Sequence, residues 1–157
     1  MRNADIATGD DPEQGHQAPI NGAPNYLYVR VSNRGTGPAS PGAATLETYR
    51  CDPGTGMVWP QDFQSLGTLT ISDPIPAGGS VRVGPFVWTP QIVDYECLLA
   101  IVSHTDDHAL SDVVPGPLEH GVLVRYDNNV GQRSVAPQMA TPGWEGHVPS
   151  DPARRRR

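Results

Sequence analysis

Two cysteines, five histidines and three tryptophans carry most of the chemistry open to this 157-residue chain. Cys51 and Cys97 could form a disulfide if their strands are neighbours. A bridge needs Cα atoms within about 7 Å and an oxidising compartment; the alternative is two free thiols packed as small hydrophobes. Asp106, Asp107 and Asp112 crowd one stretch, with Asp127, Asn128 and Asn129 further on. Calcium takes about six to eight such oxygens, yet the spacing fits no EF-hand loop, and Asx turns account for the same residues. His104 and His108 lie four apart, an interval that can share a metal on a helix. Their turn-rich setting removes that geometry, and His16, His120 and His147 are scattered. Serines occur without a Gly-x-Ser-x-Gly elbow. The expectation is therefore no enzyme, no catalytic set, no metal and no cofactor.

The tryptophans suggest a different kind of site. Trp59, Trp88 and Trp144 could line a sugar-binding face, but Trp59 precedes Pro60, and Trp88 stands just before Thr89-Pro90. Tryptophans at such corners commonly cap a core. Trp144 lies in Pro142-Gly143-Trp144-Glu145-Gly146, within a polar stretch that offers it no local core. It either folds back onto its own domain or anchors on a partner, as buried aromatics do at interfaces.

The elements that would position these residues are strands. Over Asn25 to Ser32, Leu27, Val29 and Val31 alternate with Tyr28, Arg30 and Ser32, the period-2 pattern of a half-buried strand. Asn33-Arg34-Gly35 then supplies turn chemistry. Ala43 to Cys51 reads as a second strand, with Ala44, Leu46 and Thr48 on one face and Thr45, Glu47 and Tyr49 on the other. A long loop over Asp52 to Ser65 should fold Met57, Val58, Trp59 and Phe63 over an end of the body. Leu66 to Ser72 alternates again, with Leu66, Leu69 and Ile71 apolar and Gly67 disturbing the first step. Ser80 to Trp88 follows with Val81 and Val83 inward, and Pro85 marks an edge strand or a bulge. Cys97 to Val102 is apolar on both faces, as at the centre of a sheet. Thr105 to Pro117 reads as an acidic loop. Val122 to Tyr126 and Val130 to Val135 read as one strand broken at Asp127-Asn128-Asn129.

Gly and Pro number 17 each while aromatics make up 6%, which suits short strands and punctuated turns and argues against a helical bundle. Length allows one domain with one core. A formal charge of −6 disfavours nonspecific nucleic-acid binding. All 11 basic residues are arginine, and four form the run Arg154 to Arg157. No apolar run approaches the roughly 18 residues that span a bilayer, and the first residues lack the apolar core of a secretory signal. Membrane insertion is thus not expected, and the sequence leaves localisation open. The organisation expected is an N-terminal arm over 1–24 with one short edge strand near Asn3 to Ala7, a β-sandwich over 25–136, and an extended proline-rich arm over 137–157. Seven or so short strands at turn-punctuated spacing point to an all-β, immunoglobulin-like sandwich.

Four pieces occur in order: Asn25-Tyr-Leu-Tyr-Val-Arg-Val-Ser-Asn-Arg-Gly-Thr36, Val83-Gly-Pro-Phe-Val-Trp-Thr-Pro90, Glu96-Cys-Leu-Leu-Ala-Ile-Val102 and Tyr126-Asp-Asn-Asn-Val-Gly-Gln-Arg-Ser-Val135. Together they resemble the bacterial cell-adhesion-related (CARDB-like) immunoglobulin-type domains over about Asn25 to Val135. The resemblance implies a non-enzymatic β-sandwich used as a spacer, adhesion unit or accessory module in bacterial surface and secreted proteins. The sequence departs from the usual pattern in a clipped first strand and in an arm beyond the usual end.

The resulting expectation is a non-catalytic module for protein–protein contact within a bacterial or phage-type assembly, its partner another protein or a second copy. An open sheet edge would recruit a strand, and the arms over Ala7 to Pro24 and Pro137 to Arg157 would latch onto neighbours. Met139, Trp144, Val148 and the arginines Arg154, Arg155, Arg156 and Arg157 are the candidate partner-binding residues. The alternative is a carbohydrate-binding or adhesion accessory module.

Overall fold

The computed structural model describes residues 4–9, 15–52, 54–91, 94–113 and 116–140. Seven strands form two packed antiparallel sheets. The first sheet runs β1 (Ala4–Thr8), β2 (Asn25–Ser32) and β6 (Ser80–Trp88), with β2 in the middle. The second runs β5 (Phe63–Thr70), β3 (Ala44–Cys51), β7 (Glu96–His104) and β9 (Val130–Val135). A small ribbon pairs β4 (Val58–Trp59) with β8 (Leu118–Glu119), and two short helices, α1 (Leu110–Val113) and α2 (His120–Tyr126), complete the described elements. The all-β sandwich expected from the sequence is the fold.

Alternation explains which side chains meet between the sheets. Leu27, Val29 and Val31 of β2 face Ala44 and Leu46 of β3 and Leu98, Ala100 and Val102 of β7 in one buried cluster. β1 lies where the sequence places an edge strand; it pairs in register with β2, and its Ile6 is buried in that cluster.

The unbroken burial of Glu96 to Val102 has a specific cause. One face of β7 looks into the sandwich, while Cys97, Leu99 and Ile101 form a second core on the outer face of the larger sheet. Phe63 of β5 belongs to the same face, and Ala109 and Leu123 cover it, with Met57, Trp59 and Leu118 packed against it. The loop after Cys51 thus covers the flank of a sheet rather than an end of the sandwich.

Three local expectations need correction. Residues 122–126 are not a strand but the last turns of α2. Their valines favour extended backbone, yet Leu123 is the one buried side chain of the helix. β9 already holds the place beside β7, so an extended segment there would leave its backbone groups unpaired, whereas a helix satisfies its own. The acidic stretch 105–117 is likewise not wholly loop, since it contains α1. β5 begins at Phe63 rather than Leu66, because its ladder continues through a bulge: Thr48 pairs with Gly67 and Tyr49 with Ser65. Leu69 stands opposite Leu46 on the same face, but on the edge strand β5 it is partly exposed, while Ile71 remains buried.

Pro85 marks a bulge, as its chemistry requires. Leu27 pairs with Phe86 and Val29 with Val83, which leaves Gly84-Pro85, joined by a cis bond, opposite Tyr28. Gly84 has φ +141°, and a Cβ there would sit 2.7 Å from the Leu27 carbonyl oxygen. Only glycine fits this approach of two backbones.

Candidate functional site

The segment over 15–24 does not hang free. The Gln17 amide donates to the Thr8 carbonyl at 2.6 Å, and the Gly22 amide donates to Pro90 at 2.8 Å. Asn25, at the start of β2, organises the turn before it. Its Nδ2 donates to the carbonyls of Ile20 and Ala23, both at 2.8 Å, and its Oδ1 accepts from the Ile20 amide at 2.8 Å. An asparagine side chain supplies both donors and an acceptor, so this one buried residue shapes the whole corner.

The chain just after β9 is fastened to the same corner. Gln138 forms a parallel bridge with Ile20: its amide donates to the Pro19 carbonyl at 2.8 Å, and its carbonyl accepts from the Asn21 amide at 2.8 Å. Pro137 beside it is buried. The next residue, Met139, is 68% exposed. A hollow of about 390 Å³ opens at this corner, lined in part by Pro19, Ile20, Ala23, Pro24 and Tyr26. Chain tethering and an exposed methionine are thus adjacent in sequence at Gln138-Met139, and the tether reaches Pro19 at the rim of the hollow.

Of the candidate partner-binding residues, Met139 stands next to this tether; Trp144, Val148 and Arg154 to Arg157 lie outside the described residues. The hollow has one signal in the sequence, Asn25, a polar residue at the buried register of an otherwise apolar strand face.

The other candidates are engaged in structure. Trp88 is buried, and its Nε1 donates to Glu96 Oε2 at 3.2 Å. Trp59 packs edge-on to Tyr49 at 4.7 Å between centroids and lies 5.7 Å from Phe63. Asp127 receives the Leu110 amide on Oδ2 and the Asn129 amide, at 2.9 Å, on Oδ1. Asp112 accepts from the Ser103 hydroxyl, and His104 Nδ1 accepts from the Asp106 amide at 3.1 Å. These acidic residues thus act largely as caps and turn formers. Among the described residues, no three His, Cys, Asp or Glu side chains are arranged to hold a metal ion.

Cys51 and Cys97 are register partners on neighbouring strands, both buried and both free thiols. Burial pushes the Cys97 thiol up to about 11, with Cys51 adding to it. Burial also raises Cys51, against a hydrogen bond with Thr55 that pulls the other way. Among the described residues no helix is long and apolar enough to cross a membrane.

No protein-family model matches the chain, and no curated protein matches it. The solved structures similar to it include two of one domain. The crystal structure of the CARDB domain of a Pyrococcus furiosus protein in complex with di-metal ions has 15% identity and a TM-score of 0.46, covering 88% of this chain and 89% of that one. The solution NMR structure of the same domain has 16% identity and a TM-score of 0.44, covering 87% and 96%.

Proposed function

We propose that this chain is a non-catalytic interaction module that assembles with other protein chains through the root of its C-terminal arm and an adjoining sheet edge. The supporting observation is that Gln138 is tied to Pro19 and Asn21 while Met139, one residue on, is 68% exposed. A fastened root holds the outgoing arm at a defined place and lowers the entropy lost when that arm engages a partner. The outward Ile6 and Thr8 carbonyls of β1 already accept from Arg133 and Gln17, so the edge of the first sheet offered for strand addition is β6, which among the described residues has no ladder partner beyond β2. The setting that fits this role is a bacterial or phage-type assembly, with a second copy or another structural protein as partner.

Met139→Ser and a chain ending at Ala140 separate the two contributions, because both keep the Gln138 bridge. Self-association or co-assembly that weakens in both variants supports the reading. Association unchanged in both overturns it. A carbohydrate-binding role has less support, since Trp88 is buried and Trp59 is packed against Tyr49; a glycan array tests it directly.

A further inference from the structure

Cys51 and Cys97, the two cysteines of the chain, stand on one rung of the ladder between β3 and β7. The register of that ladder runs unbroken from Ala44–His104 to Cys51–Cys97. One rung beyond Ala44–His104, the Thr105 amide donates to the Ala43 carbonyl at 3.1 Å. The Val102 amide points away from β3 and donates to the Asn129 carbonyl at 2.9 Å. Hydrogen-bonded and non-hydrogen-bonded rungs alternate along an antiparallel pair. Cys51 and Cys97 have the same parity as Ala43 and Thr105, so they share a hydrogen-bonded rung. Such a rung holds its Cα atoms about 5.5 Å apart, a separation that a disulfide spans. Both side chains are buried together on the outer face of the larger sheet.

As free thiols the two sulfurs are engaged elsewhere. Cys51 Sγ lies 2.9 Å from Thr55 Oγ1, and the Thr55 hydroxyl donates to the Asp52 carbonyl at 3.0 Å. Cys97 Sγ lies 3.9 Å from the Leu98 carbonyl oxygen. A hydrogen-bonded rung sets its Cβ atoms at the wide end of about 4.5–5.5 Å. A relaxed bridge brings them to about 3.5–4.5 Å, so closing the bond draws the rung inward. Cys51 is the last residue of β3, where the ladder ends and can yield. A bridge that holds its strands closer than their resting distance is readily reduced again.

We propose that Cys51 and Cys97 form a reversible dithiol–disulfide pair, oxidised by a small-molecule disulfide of the glutathione class. One cysteine thiolate attacks a sulfur of the external disulfide, which forms a mixed disulfide and releases one thiol. The second cysteine thiolate attacks the protein sulfur of that adduct, closes the Cys51–Cys97 bond and releases the second thiol. The two cysteine protons end on the released thiols, and two electrons reduce the external S–S bond. Both sulfurs are buried, so in the native protein this exchange runs slowly, through local opening of the strand end. Closing the bond also draws the Cys51 sulfur off Thr55 and removes one contact from the turn after β3. The pair does not depend on the proposed assembly role.

The test equilibrates the reduced full chain in glutathione buffers of graded oxidised-to-reduced ratio, both from the native protein and by refolding from urea. Samples are quenched with acid, unfolded and treated with N-ethylmaleimide, and the intact mass is read. The expected product is a monomer lighter by two hydrogen atoms that takes up no maleimide. Both routes should reach the same oxidised fraction, and excess reduced glutathione should restore the form that takes up two maleimides. On oxidation the amide signals of Asp52 and Thr55 should shift, while those of Leu27 and Val29 on the other sheet stay in place. Two maleimides on every chain at the most oxidising ratio overturn the proposal. So does a product made up only of glutathione adducts or of disulfide-linked dimers. A bridge that forms only on refolding, or that excess reduced glutathione leaves intact, is a fixed staple and overturns it as well.

Discussion

Trp88 and Glu96 join the two sheets by a buried hydrogen bond, with the indole Nε1 donating to Oε2 at 3.2 Å. Trp88 closes β6 and Glu96 opens β7, so the contact spans the sandwich at one end. The other carboxylate oxygen accepts from Arg50 at 3.1 Å. Arg50 also pairs with Asp52 at 2.7 Å, so the buried acid belongs to a short network.

Burial raises the Glu96 pKa despite the hydrogen bond from Trp88 and the charge of Arg50. A carboxyl whose folded pKa exceeds its unfolded one binds protons more tightly in the native state. Its contribution is therefore fully present below the unfolded value and is lost as pH rises through the folded one. Glu96→Gln keeps an acceptor for Trp88 and cannot ionise. Thermal melts of both proteins between pH 4 and pH 7.5 should show wild type losing ground against Glu96→Gln as pH rises. A gap that moves the other way contradicts the raised pKa. Glu96→Ala leaves the indole N–H buried and unpaired and should cost about 2–4 kcal/mol.

Leu46 and Leu69 are register partners, yet Leu46 is fully buried and Leu69 is 38% exposed. Leu46→Ala should therefore destabilise by about 2–5 kcal/mol, and Leu69→Ala by well under half of that. Urea unfolding of the two variants measures the ratio, and equal losses would refute the two-layer core described above.

Gly84→Ala tests the bulge. A methyl group there meets the Leu27 carbonyl oxygen at 2.7 Å and also inherits a φ of +141°. A loss of about 2 kcal/mol or more is expected from strain of this kind. Gly78 has a positive φ but open space around its Cβ position, so Gly78→Ala should cost less. Parallel denaturation curves decide.

Cys51 and Cys97 face one another as free thiols, and burial disfavours both thiolates. The thiolate is the reactive form. Iodoacetamide at pH 8 should leave the folded protein unmodified and add two groups once the chain is unfolded, as read by intact mass. Rapid labelling of the native protein would contradict the burial.

Much of this fold is legible in the sequence because alternation is a local signal. The faces of β2 and β3 follow from the apolar residues at every second position, and the doubly buried β7 from its continuous apolar run. What covers β7 on its outer side is not local. α2 is helical because β9 already occupies the neighbouring place, a fact set by long-range pairing that valine-rich residues 122–126 do not carry. Phe63 joins β5 only through the bulge at Leu66, which breaks the period. The Cys51–Cys97 rung is invisible for the same reason: the sequence holds both thiols, but only register places them together. Met139 is legible as an apolar residue in a polar stretch, whereas the hollow lined by Pro19, Ile20 and Tyr26 depends on how Asn25 folds the corner before β2.

The central claim is that the arm leaving Met139 makes this chain a partner-binding module. Multi-angle light scattering of the full chain and of a form ending at Ala140, across a concentration series, tests it most directly. The account predicts a concentration-dependent mass above 16.8 kDa for the full chain, alone or with its assembly partner, and a clear drop in association for the shortened form. A strict monomer in both forms, with no partner bound by either, would contradict it.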